Sequence, residues 1–310
     1  MGVFVFLPLV LPLTALPIAR LAEQHLHPRV AARLLTAIAV VMALSCAVSL
    51  ALLFVVGTAH IPGNPLPDTW SDPEVRDAVP LPEAVGGSAI LALTAVLFAC
   101  GRTLRHHLRV RRAARRALAQ LPDGPGPAVL PDDTPYAYAL PGRRARIVLS
   151  TGMVAGLTEP EQAVLLAHEQ AHLTHRHHRH LLATQLAACV NPFLWPLRQA
   201  VAYSTERWAD EEAARAVGDR RLTARAVARA ALLSPPAAAA GLAAFAAPGP
   251  VPRRVAALLG PVPDVRPWPP ARTPAGLAAL IAAAGTAASA LSSLNATFAL
   301  LILLKLATPL

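Results

Sequence analysis

Residues 158–178 read TEPEQAVLLAHEQAHLTHRHH, and this stretch has the features of a well-defined helix start followed by a histidine-rich end. Thr158 and Glu161 have the spacing of a capping box, in which each side chain bonds the backbone of the other residue. Pro160 suits the first turn of a helix, where its missing N–H costs nothing. The sequence therefore predicts a helix that begins near Thr158 and continues through the histidine-rich end of the stretch.

Three residues on this helix form an HExxH motif. His168 and His172 are four positions apart, so their imidazoles lie on one helix face and can bind the same Zn²⁺ ion. Glu169 follows the first histidine and can act as the general base that takes a proton from water. The alternative is a histidine-rich polar helix face with no metal.

A third ligand is predicted on a later helix, from about Leu197 to Val217. It contains Glu206-Arg207-Trp208-Ala209-Asp210, which places Glu206 and Asp210 on one face. Glu206 is the candidate ligand, and Asp210 would accept the N–H of a ligand imidazole and so fix its tautomer. An acidic, solvated face is the alternative. Tyr203, one turn earlier, is a candidate oxyanion contact, although a packed aromatic is favoured.

A strand is predicted at residues 136–140, before a Pro-Gly turn, and a second strand at 146–150. The first is a candidate edge strand that binds an extended peptide through backbone groups at Tyr138 and Ala139. Plain sheet structure is an equally good interpretation.

The stretch from residue 130 to residue 260 resembles membrane metallopeptidases of the BlaR/MecR antirepressor type, and more distantly the HtpX and CAAX-prenyl-protease group. The resemblance lies in the strand IVLSTGMV, the HExxH helix, the Asn-Pro-Phe segment at 191–193, the ExxxD helix and the segment PRRVAALL at 252–259. It implies a cytoplasmic gluzincin-like domain with His168, His172 and Glu206 as zinc ligands and Glu169 as base. Antirepressor sensors continue into a penicillin-binding domain, and we expect none here.

The composition is that of a membrane protein. Of 310 residues, 55% are hydrophobic and 15% charged, whereas a soluble domain has about 25% charged residues. This hydrophobicity excludes intrinsic disorder. The net charge of +10 could indicate nucleic-acid binding, but the arginines flank apolar segments, so membrane topology is the better explanation and no direct nucleic-acid binding is expected.

Four apolar runs are candidate membrane spans. They lie at residues 3–19, 34–56, 86–101 and 283–304. Basic residues cluster after the first and third runs, and acidic residues (Asp68, Asp72, Glu74, Asp77 and Glu83) lie between the second and third. The positive-inside rule therefore places the part between runs three and four in the cytoplasm and both termini outside.

The predicted fold is thus mainly α, with about four transmembrane helices and an α+β zincin-like domain inserted between spans three and four. The predicted divisions are a membrane region at 1–120, a zinc peptidase domain at 121–274 and a fourth span at 275–310. The expected function is zinc-dependent endoproteolysis of a cytoplasmic protein, such as a transcriptional repressor, by a multi-pass cell-membrane enzyme with one zinc per chain.

Other functions remain open at this stage. They are an HtpX-like quality-control protease, an intramembrane protease, and a non-catalytic receptor in which His175 or Asp210 closes a structural zinc site. The polar residues of the HExxH helix disfavour an intramembrane position. The four further histidines of the stretch are expected to be exposed on the same helix: His175, His177, His178 and His180.

Overall fold

The computed structural model describes residues 2–60, 75, 79–119, 126–142, 145–234, 251–264, 270 and 272–307. Four acidic residues of the segment between the second and third apolar runs lie outside the described residues: Asp68, Asp72, Glu74 and Asp77. Within it, four helical segments are long and apolar enough to cross a membrane: Phe4–His25, Pro28–Thr58, Pro82–Arg116 and Ala275–Lys305. They suggest a multi-pass membrane protein, in agreement with the four predicted spans.

The first of these segments is a series of short helical pieces. A 3-10 helix (Gly2–Phe6), α1 (Leu7–Val10), a second 3-10 helix (Leu11–Thr14) and α2 (Ala15–His25) follow one another. Pro8, Pro12 and Pro17 each lie near the start of a piece, because proline lacks the N–H that a helix interior needs. The prolines therefore divide the first apolar segment into short helical pieces.

The other three apolar segments are continuous helices: α3 (Pro28–Thr58), α4 (Pro82–Ala119) and α11 (Pro274–Ala307). Helices α3 and α4 approach most closely at two glycines. A Cβ built on Gly57 would lie 2.5 Å from the carbonyl oxygen of Gly86, and one on Gly86 would lie 2.2 Å from Cα of Gly57. Glycine at both positions lets the two backbones touch, as is common between membrane helices.

A small sheet follows α4. Its strands are β1 (Ala128–Leu130), β2 (Ala137–Leu140) and β3 (Arg146–Ser150), in the order β1-β3-β2. β1 is parallel to β3, and β2 is antiparallel to it. Among the described strands, β2 therefore has a neighbour on one side only.

The remaining helices are α5 (Thr151–Gly156), α6 (Glu159–Thr174), α7 (His177–Val190), α8 (Trp195–Val217), α9 (Arg220–Leu233) and α10 (Val251–Leu259). The capping box of Thr158 and Glu161 is present at the start of α6. A 3-10 turn, Pro192–Leu194, joins α7 to α8.

Helices α7 and α8 share a hydrophobic core with the apolar helices α2 and α3. Ala187, Leu194 and Leu197 pack with Leu35 and Met42 of α3 in this core. Burying these faces together joins α7 and α8 to the apolar helices α2 and α3. The predicted divisions at residues 121 and 274 stay a prediction.

The turn between α7 and α8 lies beside the middle of α3. The Nδ2 atom of Asn191 lies 3.3 Å from the carbonyl oxygen of Leu9 and 3.4 Å from Sγ of Cys46. Its Oδ1 atom accepts a hydrogen bond from the N–H of Phe193 at 3.0 Å, which caps the 3-10 turn. Asn191 thus ties this turn to two of the apolar segments.

The prediction of a single helix through His180 is wrong. α6 ends at Thr174, and Arg176 adopts a left-handed conformation with φ 53° before α7 begins at His177. This reversal turns the following histidines inward. The predicted exposure is therefore also wrong: His177 is fully buried, and His175, His178 and His180 are partly buried.

Candidate metal centre

Three ligand-type side chains converge where α6 crosses α8. The Nε2 atoms of His168 and His172 are 3.1 Å apart. The Glu206 carboxylate lies 3.4 Å from the first nitrogen and 3.5 Å from the second. In the described part of the chain, these three residues are the group of His, Cys, Asp and Glu side chains whose ligand atoms lie close enough together to hold a metal ion.

The spacing of these atoms fits a zinc ion. A tetrahedral ion with bonds of about 2.0–2.1 Å separates its ligands by about 3.3–3.4 Å. The separations are 3.1 Å between the two nitrogens, 3.4 Å from His168 to Oε2 of Glu206 and 3.5 Å from His172 to Oε1, all close to that value. Two imidazoles and one carboxylate are also a ligand set of catalytic zinc sites, which keep a fourth position open.

The charges around the triangle also favour a cation. The buried carboxyl groups of the centre, Glu169, Glu206 and Asp210, outnumber the one buried guanidinium that faces them, Arg254. Burial alone would lower the pKa of His168, but Asp210 and Glu206 outweigh it and raise that pKa. Burial has the opposite outcome at His172, where it lowers the pKa to about 4, so this imidazole is neutral and free to bind a metal.

Glu169 lies beside the triangle and against the sheet. It is 9% exposed, and burial raises the pKa of its carboxyl group to about 7. The backbone N–H of Ala139 donates a hydrogen bond to this carboxylate, which acts in the opposite direction and lowers the pKa. Helix α6 and strand β2 are therefore linked at Glu169, the residue predicted to act as the general base.

The register of β2 explains why the Ala139 amide points this way. The N–H of Ser150 donates to the carbonyl oxygen of Tyr136 at 3.1 Å, and Tyr138 is opposite Val148. Alternate residues of an antiparallel strand bond the neighbouring strand. Even-numbered residues of β2 therefore face β3, while Ala137 and Ala139 direct their backbone groups to the outer edge.

Asp210 connects one ligand to a buried arginine. Its Oδ1 atom lies 3.1 Å from Nδ1 of His168, the ring nitrogen that faces away from Glu206. Arg254 of α10 donates from Nε to Oδ2 of Asp210 at 2.8 Å and from Nη2 to Oδ1 at 2.6 Å. Its Nη1 atom lies 3.0 Å from Glu206. Arg254 thus positions two carboxylates of α8, those of Glu206 and Asp210.

His172 has a different partner. Its Nδ1 atom lies 2.9 Å from Nδ1 of His177, the first residue of α7. The His177 ring is fully buried, and its centroid lies 4.7 Å from that of Trp208. Burial lowers the pKa of His177 well below the ordinary value.

Some predicted site residues have their described contacts elsewhere. The ring of Tyr203 lies 4.3 Å below the guanidinium of Arg253, and the Tyr138 ring stacks on Tyr136 at 5.7 Å. His175 stacks on Trp208 at 4.4 Å, and its Nε2 atom lies 3.6 Å from Glu212. His175 and Asp210 are therefore not part of the ligand triangle. A structural zinc site would need one of them as a fourth protein ligand.

Sequence reasoning missed two residues of this centre. Arg254 lay in a segment identified by resemblance, without a role for its side chain. The sequence pattern predicts an exposed His177, because it gives no sign of the chain reversal at Arg176. The sequence does contain one indication of a residue such as Arg254. Glu206 and Asp210 share one helix face, and two carboxylates buried together need a cation beside them.

Comparison with protein families gives one match. The model of peptidase family M48 matches residues 102–194, which contain His168, Glu169, His172 and His177 and end before Glu206. Neither curated proteins nor solved structures gave a match. The family match indicates a metallopeptidase, typically a zinc enzyme, and the ligand triangle agrees with it. Together with the four apolar helices, the match over this part of the chain suggests a membrane metallopeptidase.

Proposed function

We propose that this chain is an integral-membrane zinc endopeptidase that cleaves a peptide bond of a protein on the cytoplasmic side. The observation that carries the proposal is the triangle of His168, His172 and Glu206, with the Glu169 carboxylate beside it. A purely structural zinc site has no need of that carboxylate.

Each residue of the centre has a role in this proposal. His168, His172 and Glu206 hold the ion, which when bound supplies Lewis-acid chemistry that polarises the scissile carbonyl and acidifies water. Glu169 accepts the proton of the attacking water at its carboxylate and later gives it to the leaving amine. A pKa raised by burial suits a group that must both take and return a proton near neutral pH.

The outer edge of β2 is the proposed binding place for the substrate backbone. Ala137 and Ala139 direct their peptide groups to this edge, next to Glu169. An extended peptide that adds to the edge as a further strand would bring its own peptide bonds alongside the metal triangle. Sequence-independent backbone bonds would then hold the substrate.

The test is metal content and cleavage by the full-length chain in detergent. We expect about one zinc per wild-type chain, much less in Glu206→Ala, and a full complement in Glu169→Gln. Wild type should cleave β-casein, and Glu169→Gln should not. His175→Gln is the matched control and should keep both zinc and cleavage. A folded wild-type chain without zinc overturns the proposal, and wild-type cleavage by Glu169→Gln overturns the role of the base.

For the substrate, the resemblance to the antirepressor type leads us to propose a cytoplasmic regulatory protein such as a transcriptional repressor. The experiment is a comparison of new protein N-termini in cells that express wild type or Glu169→Gln. New termini confined to one regulatory protein support signalling. Many termini from damaged membrane proteins support quality control instead.

The orientation is likewise a proposal. The arginines of α4 after the apolar part, such as Arg105 and Arg112, support a cytoplasmic position for the metal centre. A single cysteine introduced at Arg109, in a chain without other cysteines, should react with a membrane-impermeant maleimide only after the cells are opened. Reaction in intact cells would reverse the orientation.

A further inference from the structure

The two histidines of the metal triangle are held in different ways. The Nδ1 atom of His168, which faces away from the triangle, lies 3.1 Å from a carboxylate oxygen of Asp210. His172 has another imidazole there, that of His177, at 2.9 Å. Histidine ligands usually donate their second N–H to a carboxylate, a backbone carbonyl or water, so an imidazole in this place calls for an explanation.

The geometry fixes the protons of the histidine pair. His172 directs Nε2 toward Glu206 and His168, so a ligand at that nitrogen must carry its proton on Nδ1. The Nδ1 atom of His177, at 2.9 Å, must then be the acceptor. A neutral imidazole that accepts at Nδ1 has its proton on Nε2.

The His177 ring is held in place by its surroundings. It is fully buried, its Nε2 atom has no hydrogen-bond partner, and its ring lies against Trp208. On the α3 side, Trp208 is covered by the guanidinium of Arg33 at 5.1 Å. The left-handed turn at Arg176 brings His177 back to His172 although the two residues lie on different helices.

We propose that His177 is a positioning residue, which orients His172 and fixes its tautomer for metal binding by accepting the Nδ1 proton. This inference rests on the proposed zinc function. Because the acceptor is an imidazole, it orients His172 without adding another carboxyl group to the three already buried in the centre. Partners of this kind typically contribute 10–100-fold to metal affinity.

The experiment compares three substitutions of His177 in the full-length, metal-stripped chain. In His177→Asn, Oδ1 takes the place of the ring Nδ1, so the acceptor is kept. His177→Phe keeps the ring and loses the acceptor, and His177→Gln places its acceptor where Nε2 was. Zinc affinity is measured by competition with a chromophoric chelator. His178→Phe, on the same helix, is the matched control.

We expect His177→Phe and His177→Gln to bind zinc about 10–100-fold more weakly, with His177→Asn and the control close to wild type. If the Phe variant does not fold, the difference in zinc affinity between the Gln and Asn variants still tests the inference. Wild-type affinity in the Gln variant overturns the inference, and so does an Asn variant as weak as Gln. If the wild type itself binds no zinc, the proposed function fails, which is a separate result.

Discussion

Arg254 and Asp210 form a bidentate pair in which both carboxylate oxygens accept from one guanidinium, at 2.8 and 2.6 Å, inside a buried centre. The pair joins α10 to α8, and Asp210 in turn lies beside His168. Loss of this ion pair should therefore lower the stability of the fold and disturb the position of His168.

Arg254→Gln should destabilise the protein strongly, by about 3–5 kcal/mol, because the Asp210 charge stays buried without its partner. The measurement is chemical unfolding in detergent. Adding Asp210→Asn should recover part of the loss, since no charge is then left unpaired.

The neighbouring arginine provides the control. Arg253 pairs with Glu23 at 2.8 Å, but its side chain is 53% exposed. Arg253→Gln should change stability by no more than about 1 kcal/mol. Equal effects of the two substitutions would contradict the distinction between the buried and the exposed pair.

Ala139→Pro should abolish cleavage and leave zinc content unchanged, because proline removes the one backbone N–H that Ala139 directs from the edge of β2 to Glu169. An edge strand can accept a proline without loss of the sheet. Circular dichroism and metal analysis provide the check. Tyr138→Phe, which keeps the ring stacked on Tyr136, should remain active. Undiminished cleavage by the proline variant would exclude a role for this amide.

Gly57→Ala should destabilise the protein by about 1–3 kcal/mol, because the added methyl group overlaps the backbone of Gly86 and α4 must move. The matched control is Gly87→Ala, where an added Cβ meets nothing within 4 Å. Thermal unfolding in detergent compares the two. If the variants melt together, the close contact of α3 and α4 is not a source of stability.

Removal of zinc by a chelator should lower the melting temperature, because an ion that binds only the folded chain stabilises it by mass action. Glu206→Ala should show little change on chelation, since it lacks one ligand. A melting temperature that does not respond to chelation in the wild type would argue against a bound ion.

Local patterns explain how much of the centre could be predicted from the sequence. The HExxH spacing places His168 and His172 together by helix geometry alone, and the ExxxD spacing does the same for Glu206 and Asp210. The structure places Glu206 within 3.5 Å of both histidine nitrogens, which agrees with its prediction as the third ligand. The metal itself and the roles of these residues stay predictions.

The features that were missed depend on single backbone angles and on contacts distant in the chain. Nothing in the residue types around Arg176 marks it as left-handed, since an arginine there is uncommon. That one angle ends α6, starts α7 and buries His177. Arg254 reaches Asp210 across 44 residues of chain, and periodicity carries no information on such a contact.

The core shared by α2, α3, α7 and α8 has a consequence for biosynthesis. The ribosome releases α2 and α3 first, then α7 and α8, and Arg254 later still, so the partners of Asn191 and Asp210 become available in a fixed order. The metal centre is thus completed only after Arg254 has been synthesised, when α2 and α3 are already present. We expect a nascent or mislocalised chain to be inert, which under the proposed function would confine proteolysis to chains that have reached the bilayer.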